Sequence, residues 1–251
     1  MVKPDRVIAV FGCGFVGGTV ADYLEDAGIA VTRVDPKLYP DTDTQKAIKN
    51  SDGIIVCVPT PMDDNGACDD SIVKDVLSQT TGKVLLKSTV TPDLVDTYGS
   101  NVIYNPEFLR EATAKEDFAN STFHIFGHKD NERDAKWWSE MFGKFEILTD
   151  RRTASMVKYV HNSWLATKVA WFHELYANLP EDINYNTLTT ILGLFPTIGS
   201  NHMAVPNAEG TLGYGGHCFP KDISALTKVL DHSIIKHIKT VNEQLNEIKI
   251  Q

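Results

Sequence analysis

Short apolar runs alternate with amphipathic stretches and turn residues along the first 150 residues of the chain. This alternation is typical of repeated strand–helix units, and the near-continuous apolarity of each run suits a strand that is covered on both faces of a parallel sheet. We therefore predict a doubly wound α/β domain over residues 1–150. The predicted strands are Arg6–Phe11, Ala30–Val34, Gly53–Val58, Lys83–Lys87, Asn101–Tyr104 and Phe123–Gly127.

The pattern becomes helical near Thr153, which predicts a smaller, all-helical second domain over residues 151–251 with one long central helix from about Thr153 to Asn178. Its main stripe, spaced three or four residues apart, comprises Met156, Val160, Trp164, Thr167, Trp171 and Leu175. Other faces carry Val157, Leu165, Val169 and Phe172. A helix that is apolar on several faces is buried on several sides, so we predict that it lies between the two domains or in a homodimer interface.

A glycine-rich loop follows the first predicted strand directly, with the sequence Gly12-Cys13-Gly14-Phe15-Val16-Gly17. In this GxGxxG pattern the glycines allow a tight turn, close approach to a pyrophosphate and helix-on-strand packing, as in sheets of the Rossmann type. Asp35 ends the second strand, where an acid binds ribose hydroxyls and favours NAD. The nearby Arg33 and Lys37 keep NADP open, and an incidental glycine turn beside a solvated acid is the alternative interpretation.

Composition narrows the class of protein. The 251 residues include 24 Lys and Arg against 33 Asp and Glu, and the net charge of -9 argues against a nucleic-acid or anionic membrane surface. No apolar run approaches the roughly 20 residues of a membrane span, and the N-terminus lacks a signal-peptide pattern. We therefore expect a cytoplasmic protein. Its four cysteines show no metal-ligand spacing, so we expect no metal site.

A cysteine stands at a predicted helix start within the segment Gly215-Gly216-His217-Cys218-Phe219-Pro220-Lys221-Asp222. Pro220 suits a first helical position, and the preceding glycines let the backbone approach a ligand. The amide groups and dipole of the helix, with Lys221 beside them, would stabilise a thiolate on Cys218 and make it nucleophilic. A buried, inert cysteine beside an ordinary helix start fits the same residues.

Polar residues on otherwise apolar elements are the second chemical signal. Lys158 and Asn162 share one face of the long predicted helix and together could donate hydrogen bonds to an oxyanion. The alternative is a lysine that reaches solvent beside a satisfied asparagine. Glu107 and Glu111, in the loop after the fifth strand, could supply a base, although surface acids at this spacing are common. Asp222 could hold a water, balance Lys158 or stabilise the first helical turn.

Six motifs occur along the chain in a fixed order. They are GxGxxG with Asp35, Val58-Pro59-Thr60-Pro61, Ser88-Thr89-Val90, Asn105-Pro106-Glu107-Phe108-Leu109-Arg110-Glu111, Lys158 with Asn162, and the segment from Gly213 to Asp222. Together they resemble the UDP-glucose/GDP-mannose dehydrogenase family over nearly the whole chain, and the cysteine motif is closest to the UDP-glucose branch. The resemblance implies oxidation of a sugar-nucleotide primary alcohol to a carboxylate, by two hydride transfers to NAD through a cysteine-bound intermediate.

The resemblance also implies residue roles. Cys218 would form a thiohemiacetal and then a thioester, while Lys158 and Asn162 would stabilise the oxyanion. Thr89, Glu107 and Asp222 would position water and shuttle protons. The implied NAD contacts are Gly12, Gly14, Phe15, Val16, Gly17, Asp35, Val58, Pro59, Thr60, Thr89 and Lys221. The implied substrate contacts are Phe108, Leu109, Glu111, Lys158, Asn162, Tyr214 and Gly215.

Three departures from the family pattern concern substrate contacts and spare the chemistry. Only 15 residues separate Asp35 from Ser51, and the family's arginine before the cysteine loop is replaced near Thr197-Ile198-Gly199. The sequence also ends soon after the helix that leads to the family's C-terminal nucleotide-sugar domain. The prediction is an NAD-dependent, homodimeric dehydrogenase that converts UDP-glucose to UDP-glucuronate. The alternatives are a dehydrogenase of a smaller alcohol or aldehyde, and a non-catalytic relative that binds NAD or a partner.

Overall fold

The computed structural model describes residues 6–248. The chain folds into two compact units. The first comprises Met1–Pro61 and Cys68–Lys158, and the second comprises Met62–Ala67 and Tyr159–Gln251. The division falls inside a helix that runs without interruption over Arg151–Asn178. The domain boundary expected between residues 150 and 151 stays a prediction.

The first unit is built on a seven-stranded sheet. Its strands are β1 (Val7–Phe11), β2 (Ala30–Val34), β3 (Gly53–Val56), β4 (Lys83–Leu86), β5 (Val102–Tyr104), β6 (Phe123–His128) and β7 (Phe145–Asp150). The strand order is β2-β1-β3-β4-β5-β6-β7, and every pairing is parallel except that of β5 with β6. The predicted doubly wound α/β fold is thus confirmed, although β6 and β7 run antiparallel to the other strands.

Helices connect these strands and cover both faces of the sheet. They are α1 (Phe15–Asp26), α2 (Thr44–Asn50), α3 (Ser71–Ser78), α4 (Pro92–Thr97), α5 (Ala114–Asn120) and α6 (Glu132–Ser139), and α7 (Arg151–Asn178) begins after β7. Side chains alternate along each strand between two cores, because successive residues point to opposite faces of a sheet. Ala9 and Phe11 belong to one core, whereas Ile8 and Val10 belong to the other. This double burial explains the near-continuous apolarity of the strands.

The strand order creates a crevice beside β1. The chain passes from β1 to β2 on one side and then returns to place β3 on the other side of β1. Ligands of such open sheets bind at the carboxyl ends of the strands where the order reverses. The loops that follow β1 and β3 are therefore the expected ligand contacts.

The regular elements described in the second unit are helices, and the long segment between residues 193 and 218 has no regular secondary structure. It contains most of α7, followed by α8 (Tyr185–Leu192), α9 (Phe219–Val229) and α10 (Ser233–Glu247). Ala166, Val169 and Ala170 of α7 pack with Leu212 and Tyr214 of the loop before α9, and with residues of α9 and α10. This arrangement confirms the prediction of a smaller all-helical region with one long helix, which starts at Arg151 rather than Thr153.

The solvent exposure of α7 differs from the expectation. Three members of its main apolar stripe are open to solvent in this chain, with Val160 51% exposed and Trp164 and Trp171 each 64% exposed. The buried positions of α7 instead include Lys158 and Asn162, together with Arg151, Tyr159 and His173. Within a single chain, therefore, Lys158 and Asn162 are packed, whereas Val160, Trp164 and Trp171 are exposed. None of the helices among residues 6–248 is both long and apolar enough to span a membrane.

Candidate active site

The glycine loop after β1 has the geometry of a dinucleotide-binding turn. Gly12 adopts a left-handed φ of 79°, and a Cβ there would lie 2.7 Å from the carbonyl oxygen of Cys57 at the end of β3. A Cβ on Gly17 would lie 1.9 Å from the carbonyl oxygen of Gly12, whereas a Cβ on Gly14 would meet nothing within 4 Å. No side chain caps the N-terminus of α1. Its amide groups and the open space at Gly14 therefore fit a pyrophosphate.

Asp35, just after β2, is tied to this loop. One carboxylate oxygen accepts the N–H of Cys13 at 2.9 Å, and the other accepts the N–H groups of Lys37 at 2.9 Å and Leu38 at 3.1 Å. Burial raises the pKa of Asp35, but these three donors outweigh it, so the pKa is lowered and the group is ionised. A carboxylate offers about four acceptor positions, which leaves one for a ribose hydroxyl.

Arg33 lies close to Asp35 in sequence, yet its charge is neutralised within the fold. Its guanidinium group contacts the carboxylates of Asp22 and Glu25, each at 2.6 Å. A 2′-phosphate near Asp35 would meet a carboxylate and find this arginine already paired. The local charges favour NAD over NADP.

The loops after β3 and β4 meet through side-chain hydroxyls. Thr60 donates to the carbonyl oxygen of Thr89 at 2.7 Å, and Ser88 donates to the carbonyl oxygen of Val58 at 2.7 Å. Two of the six motifs are thereby brought together at the carboxyl edge of the sheet. β3 ends at Val56, so Cys57 and Val58 lie in the loop rather than in the strand that we predicted to end at Val58.

A buried ion pair joins the loop after β5 to the start of α7. The Lys158 ammonium lies 2.8 Å from the Glu107 carboxylate, and the two residues are 3% and 7% exposed. Burial raises the pKa of Glu107, but Lys158 and the N–H of Leu109 outweigh it and hold the pKa below its ordinary value. The ammonium also lies 5.4 Å from the centre of the Phe108 ring. Lys158 therefore does not reach solvent, which excludes the alternative raised for it from the sequence.

A second buried polar pair lies in the helical unit. Asn162 of α7 donates to the carboxylate of Asp222 on α9 at 2.7 Å, and Asp222 is 1% exposed. Its other oxygen accepts from Lys221 at 2.6 Å. Asp222 is thus engaged by two donors and does more than stabilise a helix terminus.

The cysteine precedes α9, as the sequence predicts. Cys218 is the N-cap residue, with Pro220 in the first turn, and its carbonyl oxygen accepts the N–H of Asp222 at 3.0 Å. No side chain caps this helix. The half-buried Cys218 therefore lies next to amide groups that favour a negative charge.

Sequence patterns did not indicate Asn242, His173 or Lys87, which also contribute to the site. The backbone of Tyr214 pairs with Asn242 of α10 in both directions, at 2.6 Å and 3.1 Å. Gly216 donates to Glu209 at 2.8 Å, and Gly213 donates to His173 at 3.0 Å. Lys87 at the end of β4 is buried, which lowers its pKa to about 8. The partners of these residues are remote in sequence or are backbone groups, so spacing gives no signal.

The remaining candidates occupy different surroundings. Phe108 and Leu109 are half-buried beside Glu107, whereas Glu111 is exposed in a short 3₁₀ turn over Glu111–Thr113. Tyr214 is buried, and Gly215 is half-buried against the Glu209 carboxylate. No group of histidine, cysteine or acidic side chains among the described residues could hold a metal ion.

Comparison with known proteins identifies relatives of both units. The model of the UDP-glucose/GDP-mannose dehydrogenase family NAD-binding domain matches residues 36–146, and that of the family's central domain matches residues 152–244. UDP-glucose 6-dehydrogenase of Rickettsia conorii is 34% identical over 222 residues, which cover 78% of this chain and 50% of the relative. UDP-glucose 6-dehydrogenase of Rickettsia prowazekii is 30% identical over 290 residues, which cover 93% of this chain and 65% of the relative.

Solved structures show the same fold. A UDP-glucose dehydrogenase from Pyrobaculum islandicum superposes with a TM-score of 0.82 at 24% identity, covering 95% of this chain and 68% of that one. A UDP-D-ManNAc dehydrogenase from Pyrococcus horikoshii superposes with a TM-score of 0.77 at 20% identity, with the same coverage of both chains. The chain spans about half the length of the curated relatives first matched. Its two matched regions nevertheless fall in consecutive domains of one family. The chain therefore belongs to the UDP-glucose/GDP-mannose dehydrogenase family, and its residues 36–146 correspond to the family's NAD-binding domain.

Proposed function

We propose that this protein is an NAD-dependent dehydrogenase that oxidises the primary alcohol of UDP-glucose, or of a closely related nucleotide sugar, to a uronate. The observation that carries the proposal is the buried Asn162–Asp222 hydrogen bond one turn after Cys218. A binding module has no need of buried donors and a buried carboxylate beside a cysteine at a helix N-terminus. Bound NAD would supply a hydride acceptor in each of two oxidation steps.

Cys218 is the proposed nucleophile. In the first oxidation the alcohol loses a hydride and a proton and becomes an aldehyde. The thiolate, stabilised by the N-terminus of α9, then adds to the aldehyde carbon, and the carbonyl oxygen takes up a proton to give a thiohemiacetal. Covalent attachment keeps the aldehyde bound until the second oxidation. Loss of a second hydride and a proton then gives a thioester on Cys218.

Lys158 and Asn162 are the proposed oxyanion donors, one turn apart on α7. An ammonium group has three donors and Lys158 gives one to Glu107, which leaves two. The Asn162 amide nitrogen has two donors and gives one to Asp222, which leaves one. Because both residues are buried, their remaining donors act in a low dielectric and strongly favour a developing oxyanion.

Glu107, Asp222 and Thr89 are the proposed groups for water and proton transfer. Lys158 keeps Glu107 ionised, so its carboxylate can accept a proton from a water molecule that attacks the thioester. The water oxygen forms the new C–O bond, the C–S bond breaks, and the thiolate of Cys218 is regenerated. Asp222 holds Asn162 in place, and the half-buried Thr89 hydroxyl would orient the water.

The NAD and sugar contacts belong to the proposal as well. Gly12, Gly14, Gly17 and Asp35 have the geometry described above for a dinucleotide. The further NAD contacts proposed are Phe15, Val16, Val58, Pro59, Thr60, Thr89 and Lys221. The sugar side would be lined by Phe108, Leu109, Glu111, Tyr214 and Gly215. Glu111, which is exposed, would contribute only at the entrance.

We also propose that the protein is a homodimer through α7. Val160, Trp164 and Trp171 form an exposed apolar stripe along one helix. Exposed apolar patches of this kind mark interaction surfaces, and a two-fold axis lets the same stripe meet its own copy. Antiparallel α7 helices would bury both tryptophans of each chain.

The test is turnover of purified protein with NAD and a panel of UDP- and GDP-sugars, followed as NADH absorbance and product mass. UDP-glucose is expected to give two NADH per uronate, and Cys218→Ala to abolish uronate formation. NAD binding without turnover on any nucleotide sugar would contradict the substrate assignment. Comparable turnover on sugars that lack the nucleotide would favour the smaller-substrate dehydrogenase, and absence of all turnover would favour a binding module.

A further inference from the structure

The segment that leads to Cys218 has no regular secondary structure and needs external support. Between α8 and α9, glycines adopt left-handed conformations at Gly210, Gly213 and Gly216, with φ of 79°, 83° and 72°. Such residues lose much conformational freedom on folding, so a glycine-rich loop keeps one shape only if other groups fix it. The position of a nucleophile at the end of this loop depends on those groups.

His173 of α7 supplies one of these supports. Its side chain is 1% exposed, and its Nε2 lies 2.9 Å from the carbonyl oxygen of Ala204. A carbonyl oxygen only accepts, so Nε2 carries the proton and Nδ1 presents a lone pair. Nδ1 accepts the N–H of Gly213 at 3.0 Å. Both neighbours thus require the same neutral tautomer of the imidazole.

The anchor at Gly213 is continuous with a second anchor. The next residue, Tyr214, pairs its backbone N–H and carbonyl with Asn242 of α10. A Cβ on Gly213 would lie 2.5 Å from the Asn242 side-chain oxygen, so the loop passes close between the two supports. His173 and Asn242 therefore clamp the backbone of Gly213 and Tyr214 from two helices, shortly before Cys218.

We infer that His173 is a positioning residue for the nucleophile: through Nδ1 it fixes Gly213, and through Gly213 it fixes the loop that presents Cys218. The inference rests on the proposed function for its catalytic consequence only. Burial lowers the pKa of His173, although the Ala204 carbonyl opposes this, so the neutral form is favoured. A proton on Nδ1 would face the N–H of Gly213 and break the clamp.

Two substitutions separate the contacts of the two ring nitrogens. Asparagine places a side-chain acceptor near the position of Nδ1, and glutamine places a donor near the position of Nε2. His173→Asn thus keeps the contact with Gly213 and loses that with Ala204, whereas His173→Gln does the reverse. His237→Gln, at an exposed histidine of α10, is the matched control.

The readouts are hydrogen exchange of the 207–217 amides, and kcat and KM with NAD and UDP-glucose. We expect His173→Gln to speed exchange of this segment and to lower kcat by about tenfold to a hundredfold, with KM for NAD unchanged, because small displacements of a reacting group are costly. His173→Asn and His237→Gln should keep kcat within about threefold of the parent value, because both leave the contact with Gly213 in place.

Two results would overturn the inference: equal losses in the Asn and Gln variants, or parent-like exchange and kcat in His173→Gln. A parent protein that turns over no nucleotide sugar would instead contradict the proposed function. Hydrogen exchange alone would then decide whether His173 fixes the loop, because it does not depend on catalysis.

Discussion

At the scale of single residues, buried polar groups carry most of the information about the site. The sequence identified Lys158, Glu107, Asn162 and Asp222, and it offered Asp222 as a possible balance for Lys158. Spacing along a chain does not give distances between elements, so it could not show that Lys158 pairs with Glu107 instead. The fold pairs Lys158 with Glu107 and Asn162 with Asp222. A buried charge with its partner removed costs more than the pair itself contributes. These residues are therefore sensitive to single substitutions.

Substitution Lys158→Met is expected to lower the free energy of unfolding at pH 7 by about 3–5 kcal/mol, because it leaves the Glu107 carboxylate buried without a cation. Urea denaturation measures the loss. Lys158→Met/Glu107→Gln should recover most of it. Lys136→Met, which removes one partner of an exposed pair with Glu132, should cost several times less. Equal losses for the two single variants would contradict the buried pair.

The pH dependence of the Lys158→Met defect follows from Glu107. Its pKa is lowered in the folded protein, so the pair's stabilisation is present above the ordinary glutamate value of about 4.3 and disappears as the pH falls through the lowered value. As the pH falls, the difference between parent and variant should therefore shrink, because protonation of Glu107 removes the unpaired charge from the variant and the ion pair from the parent. A difference that stays constant from pH 7 to pH 3 would show that the charge on Glu107 is not its cause.

At the scale of elements, periodicity predicted most of the sheet. β2 matches the predicted bounds, and β1, β3, β4, β5 and β6 differ by one or two residues at an end. β7 was missed because it is an edge strand in which Phe145 and Ile147 are exposed, so it lacks the continuous apolarity of the buried strands. The direction of β6 could not be predicted either, because an apolar run is compatible with both a parallel and an antiparallel strand.

The glycine loop between β1 and α1 separates packing from ligand binding. Gly17→Ala is expected to destabilise the fold by about 1–3 kcal/mol, because its Cβ would overlap the carbonyl of Gly12. At Gly14 an added methyl group would meet open space, and the φ of -65° is ordinary for any residue. Gly14→Ala should therefore leave the melting temperature unchanged. NAD affinity should nevertheless fall about tenfold, or about 1.4 kcal/mol, because the methyl group enters the pyrophosphate position. Calorimetry measures both the stability of the variants and their NAD affinity. An unchanged NAD affinity in Gly14→Ala would contradict this placement of the dinucleotide.

At the scale of the whole molecule, the exposed stripe of α7 is the feature that a single chain does not explain. The sequence predicted burial of Trp164 and Trp171, and within this chain both are exposed. Periodicity shows that a face is apolar but not what covers it, so the covering partner was beyond sequence reasoning. The proposed homodimer reconciles the two observations, since it would bury the stripe against a second copy.

Trp164→Glu/Trp171→Glu is expected to convert a dimeric parent into a folded monomer, because paired stripes would bring like charges together in a desolvated interface. Analytical ultracentrifugation with circular dichroism checks the mass and the fold. Ile234→Glu changes an exposed apolar residue of α10, outside the stripe, and should stay dimeric. A monomeric parent, or a variant that remains dimeric, would exclude α7 as the interface.

Cys218 is expected to form a covalent intermediate, and intact-mass measurement detects such an intermediate directly. Asp222→Asn removes the carboxylate that fixes Asn162, so with NAD and UDP-glucose it is expected to accumulate an adduct of one sugar nucleotide on Cys218. The adduct should be absent from Cys218→Ala/Asp222→Asn. Asp231→Asn, at an exposed acid after α9, should turn over like the parent without accumulation. An adduct that persists without Cys218, or an Asp222→Asn enzyme that makes uronate with no adduct at any time, would contradict covalent catalysis by Cys218.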